Sequence, residues 1–114
     1  GLRAGMSREK LVYVKKYVSE GEVVIAICDY EILDKKLVDS DKNITFYVDP
    51  NFYKGEVMSI ANALNMLREA TIANLIGKNI VEAAIEAGLI SREAVIEIAG
   101  IPHAQLMVLE AEKL

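Results

Sequence analysis

Apolar and polar positions divide the chain into a strand-rich first half and a helix-rich second half. Residues 11–18 (LVYVKKYV) are rich in β-branched and aromatic side chains, which favour strands. Residues 22–28 (EVVIAIC) are an almost continuous apolar run, typical of a strand that is covered on both faces. Residues 19–21 (SEG) join the two runs, so the pattern predicts a β-hairpin whose second strand is central.

Shorter segments follow the predicted hairpin. Residues 29–38 have two leucines four apart among charged residues and predict a turn or a short helix. Residues 43–48 (NITFYV) alternate between apolar and polar positions and predict a strand. Residues 52–56 (FYKGE) are read as irregular, and residues 104–109 (AQLMVL) as a last strand that pairs back on the sheet.

The second half predicts one longer helix and three short ones. Apolar side chains at helical spacing place the longer helix at residues 57–70. The short helices are predicted at residues 72–76, 79–88 and 91–100, with Thr71, Asn79 and Ser91 as N-cap residues. A glycine stands at the end of each, where a positive φ angle is favoured.

These elements predict one α+β domain at residues 7–114. We expect a two-layer sandwich in which short helices cover an antiparallel or mixed sheet of about four strands. Residues 1–6 are left out of the predicted domain. The 114 residues are enough to bury a core, and 53% of them are hydrophobic, which is typical of a globular protein.

Composition indicates the cellular compartment and the kinds of partner that the protein can bind. No apolar run reaches the roughly 20 residues that span a bilayer, so we expect no membrane association. The one cysteine, Cys28, cannot form an intramolecular disulfide and suits a reducing cytoplasm. The net charge is −4, and the acidic excess lies in residues 56–114, which argues against a broad phosphate-binding surface there.

Familiar catalytic and metal-binding motifs are absent from the sequence. One histidine and one cysteine cannot make a structural zinc site, and no glycine-rich nucleotide loop or nucleophile elbow occurs. We therefore expect no metal and no cofactor, and the sequence leaves open whether the protein is an enzyme.

Four residues are candidates for ligand binding. His103, the one histidine, lies in a Pro-His-Ala-Gln segment and is either a general base or ligand contact, or a turn residue that bonds helix carbonyls. Gln105 is either a ligand contact or a polar residue at the sheet edge. Asn74 is unfavourable inside the predicted helix at residues 72–76, so an outside contact with a loop or a substrate would explain it. Lys78 follows Gly77 at a helix junction whose free amides could accept an anion.

Nucleic acid is a second candidate ligand. Lys15, Lys16, Lys35 and Lys36, together with strand tyrosines, would suit RNA if they shared one face of the sheet. The alternative is that the tyrosines are half-buried and the lysines protect sheet edges. Groove-reading DNA binding is rejected, because residues 79–89 would be the recognition helix and contain two glutamates but no arginine, lysine or glutamine.

Several blocks of the sequence resemble a small archaeal family, domain-of-unknown-function family 424. The blocks are VYVKKY, GEVVIAICDYEIL, FYKGE, ATIANLIGK and GIPHAQLM, and they span about residues 11–109. The resemblance implies an archaeal cytoplasmic protein with a two-layer α/β sandwich and a loose link to RNA or translation. It points to the following residues: Asp29, Tyr53, Gly55, Glu56, Thr71, Asn74, Gly77, Pro102, His103 and Gln105.

We therefore expect a binding or accessory protein of information processing, with RNA or a translation-related protein as its partner. The first alternative is an enzyme with a site around Asn74, His103 and Gln105. The second is a protein-interaction module with an exposed apolar patch, which would also allow a homodimer.

Overall fold

The computed structural model describes residues 10–107, which form one α+β unit built on a six-stranded sheet. The order of its strands is β5-β1-β2-β6-β8-β7, and a separate two-stranded sheet pairs β3 with β4. The strands are β1 (Leu11–Ser19), β2 (Glu22–Asp29), β3 (Lys36–Asp39), β4 (Ile44–Tyr47), β5 (Glu56–Ser59), β6 (Ile72–Ile76), β7 (Val95–Ile98) and β8 (Ile101–Met107).

Helices are few and short. They are α1 (Pro50–Tyr53), α2 (Ile60–Leu67) and α3 (Lys78–Glu86), and two 3-10 turns lie at Tyr30–Ile32 and Arg92–Ala94. Asp49 caps α1 and Ser59 caps α2, each by accepting a hydrogen bond from a backbone amide of the first turn.

The centre of the main sheet is its one parallel pair, β2 with β6, and the other pairs are antiparallel. Both central strands are buried over most of their length. Their sequences are therefore mostly apolar rather than alternating, although β6 is interrupted by Asn74.

The two faces of the sheet carry different covers. Alternate residues of the strands, such as Val12, Ile25 and Leu75, pack in one buried cluster with residues of α2 and α3. The opposite set, including Ala26, Cys28 and Ile76, packs in a second cluster with Tyr53 of α1 and Phe46 and Leu37 of the β3–β4 hairpin. The first face is thus covered by helices and the second by a hairpin and one helical turn.

The α+β class is confirmed, and so are the predicted strands that correspond to β1, β2 and β4. The predicted number of about four strands is wrong for the main sheet, which has six. Three of its strands, β5, β6 and β7, lie where helices were predicted. The central strand β6 was predicted as the helix at residues 72–76, because four apolar residues and one asparagine fit either a buried helix or a buried strand; pairing with β2 and β8 decides between them.

Other boundaries also differ from the prediction. The predicted helix at residues 91–100 is a 3-10 turn followed by β7, although Ser91 caps it as expected by accepting from the Glu93 amide. The helix predicted at residues 57–70 is the shorter α2, because its first residues belong to the edge strand β5. The second short helix is confirmed as α3.

The remaining differences concern segments that were predicted as turns or irregular. Residues 29–38 contain a 3-10 turn and the start of β3, and residues 52–56 contain the end of α1 and the start of β5. The last strand begins at Ile101, earlier than predicted, and residues 108 and 109 of the prediction lie outside the described residues.

Candidate functional site

Four strand ends meet at one edge of the main sheet. Strands β2 and β6 end there because they are parallel, and β1 and β8 begin there because they run antiparallel to those neighbours. In open sheets with parallel strands, ligands bind outside the carboxyl ends of those strands. A cleft of about 430 Å³ lies at this edge. We call it the Asp29 cleft; it is lined by Lys10, Asp29, Glu31, Ile32, Lys78, Asn79 and Ile101.

Asp29, the last residue of β2, fixes the start of α3. Its carboxylate accepts the amide of Asn79 at 2.8 Å and the amide of Ile80 at 3.0 Å. The helix N-terminus therefore binds an anion, as the position of Lys78 suggested, but the chain itself supplies that anion. The amide of Gly77 donates to the carbonyl of Pro102 at 3.0 Å, which ties the same corner to β8.

The charge of the Asp29 cleft is mixed. Burial raises the pKa of Asp29 above its ordinary value, and the two amides and Lys10 offset part of that effect. Glu31 adds a second carboxylate, while the side chains of Lys10 and Lys78 bring two ammonium groups to the exposed rim. Glu31 is exposed as the two lysines are, so a ligand at the rim would meet both signs of charge, whereas Asp29 is buried.

An aromatic pair includes the residue that directly follows Asp29 in the sequence, although neither ring lines the cleft. The ring of Tyr30, between the lining residues Asp29 and Glu31 in sequence, stacks on the ring of Tyr13 with 5.0 Å between centroids and 10° between planes. Tyr30 is 47% exposed, so the pair presents aromatic surface to solvent. Burial raises the pKa of Tyr13, and the contact with Tyr30 adds to that. Such a surface can stack a planar group, a nucleobase among them.

Asn74 and Gln105 are neighbours across β6 and β8, as a shared site requires. The amide of Asn74 donates to the Gln105 side-chain oxygen at 3.4 Å, a weak bond. Its oxygen accepts from the hydroxyl of Tyr53, which belongs to α1. Burial raises the pKa of Tyr53, so this hydroxyl stays protonated as a donor. Asn74 is only 9% exposed. The sequence predicts that Asn74 has a contact outside its own element, and the structure shows that this contact is Tyr53.

His103 lies on the same sheet face, in register with Ile76. Its ring packs against Phe46 of the hairpin with 4.8 Å between centroids and is 9% exposed. It does not line the Asp29 cleft. Of the four candidate ligand residues, Lys78 thus belongs to the cleft, whereas Asn74, His103 and Gln105 lie on the sheet face that the hairpin and α1 cover.

The four lysines proposed for RNA do not form one surface. Alternation along β1 puts Lys15 on the hairpin face and Lys16 on the helix face. Lys15 donates to the Asn51 carbonyl at 2.9 Å and lies over the ring of Tyr17, whereas Lys16 pairs with Glu69 at 3.2 Å. Lys35 and Lys36 are exposed at the start of the hairpin.

Sequence reasoning missed Lys10 and Asn79 as site residues. It included Tyr30 only among the tyrosines of a possible RNA-binding face, and it named Asp29 only through the family resemblance. A signal was available for Asp29, since an acidic residue directly after a buried apolar run marks the end of a central strand. Lys10 and Asn79 carry no comparable signal, because only the meeting of four strand ends brings them together.

Comparison with known proteins adds a family. A family model described as "Protein of unknown function (DUF424)" matches residues 17–109. The chain belongs to the DUF424 family. A crystal structure of an uncharacterized conserved protein from Methanopyrus kandleri is similar to this DUF424 chain, with a TM-score of 0.74 and 26% identity over 87% of this chain and 92% of that one. Among curated proteins, no match was found.

Residues 10–107 contain no helix long and apolar enough to cross a membrane. They also contain no cluster of three or more histidine, cysteine or acidic side chains that could hold a metal ion.

Proposed function

We propose that this DUF424 protein is a cytoplasmic RNA-binding accessory protein that contacts single-stranded RNA at the Asp29 cleft. The observation that carries the proposal is the stack of the exposed Tyr30 on Tyr13, since Tyr30 directly follows Asp29 in a cleft that also has two exposed lysines in its lining. The Tyr30 ring is already ordered by its stack on Tyr13, so binding of a base costs little side-chain entropy there. Stacking of a base on an aromatic side chain contributes about 1–3 kcal/mol.

Lys10 and Lys78 supply the complementary electrostatic contact. Both are exposed lining residues of the cleft, and Lys78 is the first residue of α3. Phosphates would contact these two ammonium groups; of the two carboxylates of the cleft, that of Asp29 is buried and that of Glu31 is exposed beside them. The sequence-based RNA surface of Lys15, Lys16, Lys35 and Lys36 has weaker support, because its lysines lie on different faces.

The enzyme alternative around Asn74, His103 and Gln105 also has weaker support. The oxygen of Asn74 already accepts from Tyr53, and Asn74 and His103 are both more than nine-tenths buried. The hairpin and α1, which pack on this face of the sheet, would have to move before either side chain could contact a substrate.

Fluorescence anisotropy with a labelled single-stranded RNA of about ten nucleotides tests the proposal. We expect wild-type binding that weakens with salt, and a Lys10→Ala/Lys78→Ala variant whose slope of log affinity against log salt falls by about 1.4. The matched control is Lys35→Ala/Lys36→Ala, which removes the same charge and should leave the slope unchanged.

A second pair of variants tests stacking. Tyr30→Ala should weaken binding by about 1–3 kcal/mol. Tyr47→Ala removes a tyrosine of the same 47% exposure from the hairpin and should bind as wild type. Absence of binding at low salt would contradict an RNA function, and loss of binding only in the two control variants would move the RNA site away from the cleft.

A further inference from the structure

The imidazole of His103 is buried without a full set of hydrogen bonds. Its Nε2 atom has no hydrogen-bond partner among residues 10–107 and is shielded from solvent. Buried polar atoms are nearly always paired, so such an atom calls for an explanation. A neutral imidazole tolerates the position when Nε2 is the unprotonated nitrogen, because only an acceptor lone pair is then left without a partner. In an imidazolium, Nε2 would instead be a buried, charged N–H donor without an acceptor.

The β3–β4 hairpin is the cover that keeps water from His103. Phe46 of β4 packs on the imidazole, and Leu37 of β3 joins the same buried cluster. The hairpin shares no strand ladder with the main sheet. Its polar attachment is at β7 and the turn after it, where Asp39 accepts the Ala99 amide at 2.8 Å and the Lys42 side chain donates to the Glu97 carbonyl.

Few charged groups surround His103. Its neighbours across the strands are Ile76 on β6 and Ile96 on β7, and beyond Ile76 lies the thiol of Cys28 on β2. Burial raises the pKa of that thiol to about 12, so it stays neutral below pH 8. The ionisable groups of the elements packed nearby are Asp34, Lys35, Lys36, Asp39, Asp41, Lys42 and Tyr47 of the hairpin and Glu97 of β7.

We propose that protonation of His103 releases the β3–β4 hairpin from the main sheet and exposes the face that contains Cys28. An imidazolium below Phe46 gains hydration only if its cover moves, and a hairpin attached by side chains can open without breaking a ladder of the main sheet. Burial alone lowers the pKa of His103, which agrees with a folded state that favours the neutral ring. This inference does not depend on the proposed RNA binding.

The direction of the pH effect follows from linkage. Because the folded pKa is lowered, the closed state binds fewer protons than the open state, and closure weakens as pH falls below the ordinary value of 6.5. Asp39 does not compete in this range, because its hydrogen bonds with the Ala99 and Lys42 amides lower its pKa below 3.8.

Cys28 provides the readout, since it is the one cysteine and is fully buried on the face below the hairpin. The rate at which Cys28 reacts with dithiodipyridine, which modifies thiols in mild acid, is measured at pH 7.5 and pH 5.5. At each pH, the protection of Cys28 is the rate for the same protein in denaturant divided by the rate for the folded protein. We expect the protection in the wild type to fall about tenfold from pH 7.5 to pH 5.5, equivalent to about 1.4 kcal/mol. His103→Gln and His103→Leu, which cannot gain the charge, should show no such fall.

Hydrogen exchange distinguishes local release from unfolding. Wild-type amides of residues 34–48 should exchange faster at pH 5.5, after correction for intrinsic rates, while those of β6 stay protected. The proposal is overturned if wild-type protection of Cys28 is the same at both pH values, if the two variants lose protection as wild type does, or if β6 and the hairpin lose protection together.

Discussion

The carboxylate of Asp29 occupies the space that a Cβ atom on residue 77 would need. A Cβ built on Gly77 would lie 2.7 Å from each carboxylate oxygen, and the φ angle of Gly77 is +128°. Both facts have one cause: the chain leaves β6 and enters α3 so tightly that only a residue without a side chain lets Asp29 reach the helix N-terminus.

Gly77→Ala should therefore destabilise the protein by more than about 2 kcal/mol, since it adds a steric overlap to backbone strain. Urea denaturation gives the free energy of unfolding. Gly88→Ala is the matched control, because Gly88 also has a positive φ of +76° but no atom within 4 Å of its Cβ position. It should lose only about 1–2 kcal/mol, and equal losses would mean that contact with Asp29 has no energetic consequence.

Asp29→Asn should destabilise the protein by an amount that depends on pH. A folded pKa raised above 3.8 means that the carboxyl contributes stability that is present below the unfolded pKa and lost as pH rises through the folded pKa. The free energy of unfolding of the wild type should thus exceed that of the variant most at low pH, and this gap should shrink as the pH rises. Denaturation of both proteins from pH 3 to pH 8 measures the gap. A gap that widens instead would show that the amides of α3 outweigh burial.

Tyr53→Phe should cost about 1–3 kcal/mol of stability, because it leaves the buried oxygen of Asn74 without its donor. Tyr47→Phe is the control, since it also removes a hydroxyl that bonds a side-chain oxygen, that of Asp34, but at an exposed position. Its thermal unfolding midpoint should stay near that of wild type. A Tyr53→Phe midpoint equally close to wild type would contradict a structural role for the Tyr53–Asn74 bond.

Thr71→Val should lower stability by about 1 kcal/mol, and Thr71→Ser should largely restore it. The hydroxyl of Thr71 accepts the Val23 amide at 2.8 Å and donates to Glu22 at 2.7 Å, while its own amide donates to the Val23 carbonyl at 2.8 Å. Thr71 thereby extends the β2–β6 pairing. Equal stability of the Val and Ser variants, measured by urea denaturation, would assign the effect to shape and not to the hydroxyl.

Thr71 also illustrates what sequence alone could predict. The sequence predicts that its hydroxyl bonds a backbone amide, which is confirmed, but it places Thr71 at a helix start, whereas the residue directly precedes the strand β6. The first β-hairpin, helix α3 and the α+β class followed from periodicity, because each element has either a continuous or a clearly amphipathic pattern. The IANLI segment of β6 has neither, and its partners on β2 and β8 are far from it in sequence.

The candidate site was less predictable for a related reason. Lys78 was noted because its junction with Gly77 is local, and the resemblance pointed to Asp29. Their meeting depends on the register of β2 with β6, which no local pattern encodes. The same holds for Asn74, whose unfavourable helix propensity was a real signal but whose partner, Tyr53, lies on a separate helical turn.

The parallel pairing of β2 with β6 has a consequence for how the chain folds. Residues 30–71, which include the hairpin, α1, β5 and α2, lie between the two strands. Closing so long a loop costs entropy that is recovered only when the ladder forms, and such nonlocal contacts slow folding. The β1–β2 and β3–β4 hairpins join neighbours in sequence, whereas the β2–β6 pairing requires closure of this long loop. The Asp29 cleft needs that pairing, so we expect it to form late in folding.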